Sequence, residues 1–390
     1  MTLLKLFNTS PANSPKDDAG GSNAQLESKG RDQRPSPPKD DVDVDSTEAA
    51  TPRGKSSASF LKSKQQDTLF VADNRGGKAG KEPSLVCYSP VKCGHTVTGK
   101  DKLSLLGDVV CTDNPDNADC AITVSGEDAE LDCNDFMITS ASGSWTYGIC
   151  VTNRAKAKNC HVGRFGAGIF IEDGGDVAYS EVMFNDYGIL VKGSQDSTTT
   201  TKISDTFIHD NGDDGIRFEG ETSSESSIQI EGVRSINNGG NGMYFSASTL
   251  NLRVKDSETS YNAADGFYAT ATSGGSIDFE VEGFFNSRYN GGDGMALIIP
   301  LLLEGEMKVK GVVNIYKNDY HGLYMDRGAV NVVVDKGGAL NSCSHGQLDP
   351  GFPDISNFGG GTFSGDGYTC VTKGGDNLPD CDACPSCPNE

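Results

Sequence analysis

Asn238-Gly239-Gly240-Asn241-Gly242-Met243-Tyr244-Phe245 is followed by a second version of itself, Asn262-Ala263-Ala264-Asp265-Gly266-Phe267-Tyr268-Ala269. A third version is Asn290-Gly291-Gly292-Asp293-Gly294-Met295-Ala296-Leu297. In each, an asparagine stands four residues before a glycine, and the first and third residues after that glycine are apolar. The apolar alternation describes a strand with one buried face. Working outward, the same glycine recurs at Gly148, Gly168, Gly188, Gly215, Gly242, Gly266, Gly294 and Gly322, spaced 20, 20, 27, 27, 24, 28 and 28 residues apart. A second alternating run precedes the next glycine in several repeats, as in Ile228-Gln229-Ile230, Leu250 to Val254 and Ile277 to Val281. Two or three short strands per repeat of this length, with tight turns and no helical pattern, predict the coils of an all-β parallel solenoid.

The asparagine recurs five times in one register, at Asn211, Asn238, Asn262, Asn290 and Asn318. Coils stacked about 4.8 Å apart would bring these side chains into a ladder, each bonding the backbone of its neighbour at a bend that asparagine tolerates. With these Asn…Gly-apolar repeats the chain resembles the right-handed parallel β-helix proteins of the pectate-lyase-like superfamily over about 120–340, Leu131-Asp132-Cys133-Asn134 being similar to the family's opening coil. The resemblance implies the fold far more than any one function, because the superfamily includes lyases, hydrolases, epimerases and adhesins. Signatures of particular activities match only partly. Gly212-Asp213-Asp214-Gly215-Ile216-Arg217 is similar to the paired aspartates of pectin-hydrolysing enzymes, but Tyr320-His321-Gly322 is half of their histidine motif and their Arg-Ile-Lys element is missing. The Asp-Pro-His-Asp signature of alginate epimerases is also missing.

Composition divides the 390 residues into three parts. Residues 1–83, rich in Ser, Pro, Asp and Lys, hold 13 basic and 12 acidic side chains and too little apolar surface to offset ordering, so they read as a disordered arm. The remaining 20 basic and 43 acidic residues put the whole formal charge of −22 on the part expected to fold. Such a surface repels nucleic acid and anionic membrane and attracts cations. Residues 84–340 are the expected β-helix with its N-terminal cap, and 341–390 a cysteine-rich C-terminal cap. Seven of the twelve cysteines lie between Cys87 and Cys160 and five between Cys343 and Cys387. Clustering at both ends of a repeat array suggests disulfide-reinforced caps and an extracellular or cell-surface location. Cys111, Cys133 and Cys160, about one coil apart, form a column of sulfurs that either bridge or pack as buried thiols. Cys381, Cys384 and Cys387 favour disulfides over a zinc clip, which wants a fourth ligand. Met1 to Phe7 is short for a signal peptide and lacks a small-residue cleavage site. The longest apolar run, Leu297 to Leu303, is too short to span a bilayer; it is the one irregularity that could wall a cleft or contact a partner.

In stacked coils a functional site is a repeated offset. Two positions after the glycine stand Arg217, Tyr244, Tyr268, Ala296 and Tyr324. Tyrosines there make an outward ribbon suited to sugar rings, with Arg217 placed to hold a carboxylate or sulfate; cross-strand packing alone would also account for them. Immediately before the glycine stand Asp214, Asn241, Asp265, Asp293 and His321. Asp214, Asp265 and Asp293 are candidate ligands for calcium, and Asp213, Asp214 and Asp265 candidate catalytic carboxylates, although Asp, Asn and His before Gly are also ordinary turn formers. The expectation is therefore a polysaccharide-binding β-helix. The alternatives are a calcium-assisted lyase or uronate epimerase, and a structural or adhesive rod.

Overall fold

The structure is a computed structural model that describes residues 86–87, 91–112, 118–193, 200–220, 225–272, 274–343, 353–358, 360–365, 367–370 and 373–375. The chain separates into two units, Met1–Thr68 and Leu69–Glu390, and every described residue belongs to the second. The arm over 1–83 and the Cys381–Cys387 cluster lie outside the described residues.

Each coil contributes three strands to three parallel sheets that run the length of the solenoid. One coil illustrates the plan. Tyr187–Lys192 lies in the first sheet, Thr200–Ser204 in the second and Phe207–His209 in the third. Farther along, Thr249–Ser260 and Ile277–Arg288 run through the second and third sheets without a break, while Met295–Val309 and Leu323–Val334 run through the first and second.

Register never slips in the first sheet. Ile122, Ile149, Ile169, Ile189, Ile216, Met243, Phe267, Met295, Leu323 and Ile355 pair in an unbroken line. All are fully buried. A shift of one residue would turn every one of them to solvent, so the apolar alternation enforces the register. Beneath it the core carries its own aromatic stack, with Phe267 4.8 Å from Phe279 and 5.3 Å from Phe245.

The asparagine ladder is present and longer than the sequence pattern indicated. Asn211 Oδ1 accepts the backbone N–H of Asn185 (3.0 Å) and its Nδ2 (3.1 Å), and the same double bond links Asn211 to Asn238, Asn238 to Asn262, Asn262 to Asn290 and Asn290 to Asn318. Asn185 escapes the pattern because it stands three residues before its glycine. From Asn211 onward the corner has one residue more. The ladder also explains the repeated glycine: a Cβ at Gly242 would stand 2.7 Å from Asn262 Nδ2 and 2.5 Å from the Gly266 carbonyl oxygen.

Disulfides join Cys93 to Cys111, Cys120 to Cys150 and Cys133 to Cys160, and Cys343 is also disulfide-bonded. The expected three-sulfur column is thus half right. Cys133 and Cys160 bridge successive coils, but Cys111 turns to Cys93. In the Leu297 to Leu303 run the described side chains divide between core and surface. Leu297 and Ile299 are core residues, Leu303 packs against the core, and Leu301 alone of the three leucines described projects into solvent. Residues 300–303 form a bulge where the register shifts between Ile299 and Glu304.

Candidate functional site

Outward residues of the first sheet form the line Leu190, Arg217, Tyr244, Tyr268, Ala296, Tyr324. The structure brings three of the four candidate binding residues together. Tyr244 and Tyr268 lie parallel, 5.2 Å between centroids and 1° between planes. The Arg217 guanidinium caps the stack 4.8 Å from the Tyr244 ring and also lies 5.5 Å from Tyr187, which the sequence pattern did not single out. Tyr324 is set apart by Ala296 and stacks on His321 at 4.9 Å. Because the rings lie on one another along the solenoid axis, the Tyr244–Tyr268 pair offers solvent its edges and hydroxyls more than its faces. Burial raises the Tyr268 and Tyr324 hydroxyls above the ordinary tyrosine range, so both remain donors at neutral pH. Arg217 is already engaged, its Nε donating to Glu219 (2.7 Å) and its Nη1 to Asp214 (3.2 Å). An anionic ligand would share the guanidinium, which has five N–H donors, with these carboxylates.

The column before the glycine is a second ladder. Asp214 Oδ1 accepts the N–H of Asn241 at 2.7 Å, Asn241 Oδ1 that of Asp265 at 3.0 Å, Asp265 Oδ1 that of Asp293 at 2.7 Å, and Asp293 Oδ1 that of His321 at 2.9 Å. These carboxylates are buried and tie each corner to the next coil. Asp214 is pushed above the usual carboxylate range by burial first, with the Asp213 charge a lesser cause. The residues do not fit a calcium site. Asp214 and Asp265 are two coils apart with Asn241 between them, each of the three candidate ligands gives an oxygen to a backbone amide, and no group of three or more His, Cys, Asp or Glu among the described residues is arranged to hold a metal ion. Asp265 likewise stands two coils from Asp213 and Asp214. Asp213 instead bonds the Tyr187 hydroxyl.

The second sheet carries a feature the repeat reading missed. Its outward line runs Lys102, Glu130, Lys156, Asp176, Lys202, Gln229, Arg253, Glu280, Lys308. Opposite charges meet at Lys102–Glu130 (2.9 Å), Lys156–Asp176 (3.3 Å) and Arg253–Glu280 (3.8 Å). A neighbouring line adds Lys255–Glu231 and Arg253–Glu282. This face is a zipper whose charges are spent on one another. On the third sheet, Glu181 joins His161 (2.7 Å) to His209 (3.0 Å), and His209 also meets Asp210 (2.7 Å).

The sequence profile of the family described as "Right handed beta helix region" matches residues 116–294. The described residues form a right-handed parallel β-helix. A search of solved structures returns the crystal structure of the Dettilon tailspike protein, with a TM-score of 0.53 and 12% sequence identity over 72% of this chain. The match spans 59% of the tailspike chain, so this β-helix corresponds to part of that protein's length. No curated protein matches the sequence. The β-helix has disulfides, which are compatible with an oxidising compartment. Among the described residues no helix is long and apolar enough to cross a membrane.

Proposed function

We propose that this β-helix is an extracellular polysaccharide-binding protein that uses the outer face of its first sheet, centred on Arg217, Tyr244 and Tyr268, with Tyr324 as a separate contact. The observation that carries the reading is the continuous strip of cation and tyrosine hydroxyls on a rigid, register-locked surface. Its donors and acceptors are spaced by the coil repeat of about 4.8 Å, close to the rise of a sugar unit in an extended glycan. Rigid aromatic residues of this kind contribute contact area with little entropy to lose on binding. Likeness to a tailspike is consistent with a glycan-facing role and supplies no residue assignment.

A glycan array with the full chain tests the reading, run with and without calcium. Hits that weaken about tenfold in Tyr244→Ala or Tyr268→Ala, roughly the 1.4 kcal/mol expected of an aromatic contact, support it. No binding under either condition would favour a structural rod. Growth of unsaturated-uronate absorbance on a bound glycan would instead establish elimination.

A further inference from the structure

A pocket of about 390 Å³ opens at the corner between the third and first sheets, on three successive coils. Its wall includes Trp145, Arg164, Phe184 and Asp186. The size lies at the small end of ligand pockets, and the tyrosine strip contributes nothing to its lining.

Three observations set this corner apart. First, Arg164 and Phe184 occupy a left-handed backbone position, with φ of 71° and 57°. Farther along, the same place holds Asp210, Asn237, Tyr261, Tyr289 and Lys317, at φ of 53°, 58°, 57°, 55° and 54°, so a bulky side chain, though disfavoured there, is not confined to this corner. The Phe184 ring is 59% exposed. It is steadied by the His209 imidazole, whose ring lies 6.4 Å away and 71° to it, and His209 is itself held by Glu181 and Asp210. Tyr261, exposed at the same position, stacks on Tyr289 at 4.9 Å, whereas Phe184 has only the edge contact with His209 among the described rings, which leaves its faces open. Second, the Arg164 guanidinium and Asp186 carboxylate are exposed and form no ion pair among the described residues, while many charges of the second sheet are paired. Third, Trp145 is 2% exposed and its indole N–H has no acceptor among the described residues, a rare condition for a buried donor.

We infer that this pocket is a subsite for a neutral pyranose unit, stacked on the Phe184 ring and hydrogen-bonded by Arg164 and Asp186, with Trp145 in the wall behind it. One cation and one carboxylate in the same lining match a ring of hydroxyl groups better than a charged sugar. The inference rests on the glycan-binding reading and adds to it a second site at a different edge of the solenoid.

Trp145 is the chain's one tryptophan, so its emission reports this pocket and not the tyrosine strip. The full chain is titrated with neutral oligosaccharides and with those the array identifies, following Trp145 fluorescence in the parent, Phe184→Asn and Tyr244→Ala. The expected result is a saturable change in the parent that survives in Tyr244→Ala and weakens at least about tenfold in Phe184→Asn. Phe184→Asn should unfold at the same or a higher temperature than the parent, because asparagine suits the left-handed position. A merely structural phenylalanine would give the opposite. Unchanged affinity in Phe184→Asn overturns the inference. So does flat emission with a glycan whose array binding depends on Tyr244, which would leave the proposed function standing. Flat emission together with an empty array overturns both.

Discussion

Asp214 shows how one residue can look like a catalyst and serve as a joint. Its Oδ1 receives both the backbone N–H and the side-chain N–H of Asn241, while Oδ2 meets Arg217. The folded carboxyl titrates above its ordinary value of 3.8 because it is buried. The folded chain therefore keeps a proton that the unfolded chain has released. The stability associated with the neutral form is whole below 3.8 and falls as pH climbs through the raised value. An amide at this position retains the acceptor without the buried charge. Asp214→Asn should match the parent in acid and unfold at a higher temperature at neutral pH, as thermal melts across the pH range will show; a parent equally stable at neutral pH would contradict the assignment. The alternation and the Asn–Gly repeat were legible in the sequence because they recur at a fixed offset. What the carboxylates touch was not, since a column of Asp reads alike whether it faces a cation or the next coil's amide. Nor was Phe184, whose ring lines a pocket assembled from three coils, a juxtaposition that residue names do not carry.

At the scale of the element, the second sheet explains where the basic residues of an acidic protein go. Glu280 meets Arg253 at 3.8 Å and Lys310 at 2.6 Å, both partners partly exposed. Each such pair contributes about 0–1 kcal/mol, so the zipper adds little stability per coil. Its larger effect is on pairing, because a slipped or inverted strand would bring like charges together. Glu280→Lys should lower stability by about 1–2 kcal/mol, through two lost pairs and new repulsion with Lys308. Glu280→Gln should cost less than half of that, and high salt should shrink the gap between the two variants. Thermal unfolding at two ionic strengths measures both effects, and a salt-independent gap would argue for packing. This alternation runs across coils rather than along the chain, at separations of 20 to 30 residues, and so no local window reveals it.

For the molecule as a whole, stacked coils are stabilised chiefly by their neighbours, so reinforcement at one end stays local. The three pairings among Cys93 to Cys160 close loops of 18, 30 and 27 residues, each removing about 3 to 4 kcal/mol of unfolded-chain entropy. Mild reduction should therefore speed amide hydrogen exchange over 120–163 and leave 243–309 unchanged. Uniform acceleration along the solenoid would show that the coils unfold as one body. Cysteine clustering forecast covalent caps. It could not forecast the partners, since neighbouring coils offer each sulfur several candidates at similar range.

The charge zipper also limits how the solenoid can change length over evolutionary time. Gain or loss of a single coil within an alternating column would set cation against cation, whereas gain or loss of two preserves the alternation. Such a lineage should grow or shrink by pairs of coils, or neutralise the seam where an odd coil entered. Gln229, uncharged between Lys202 and Arg253, stands where the alternation calls for an acid, so the phase of the column is kept across it.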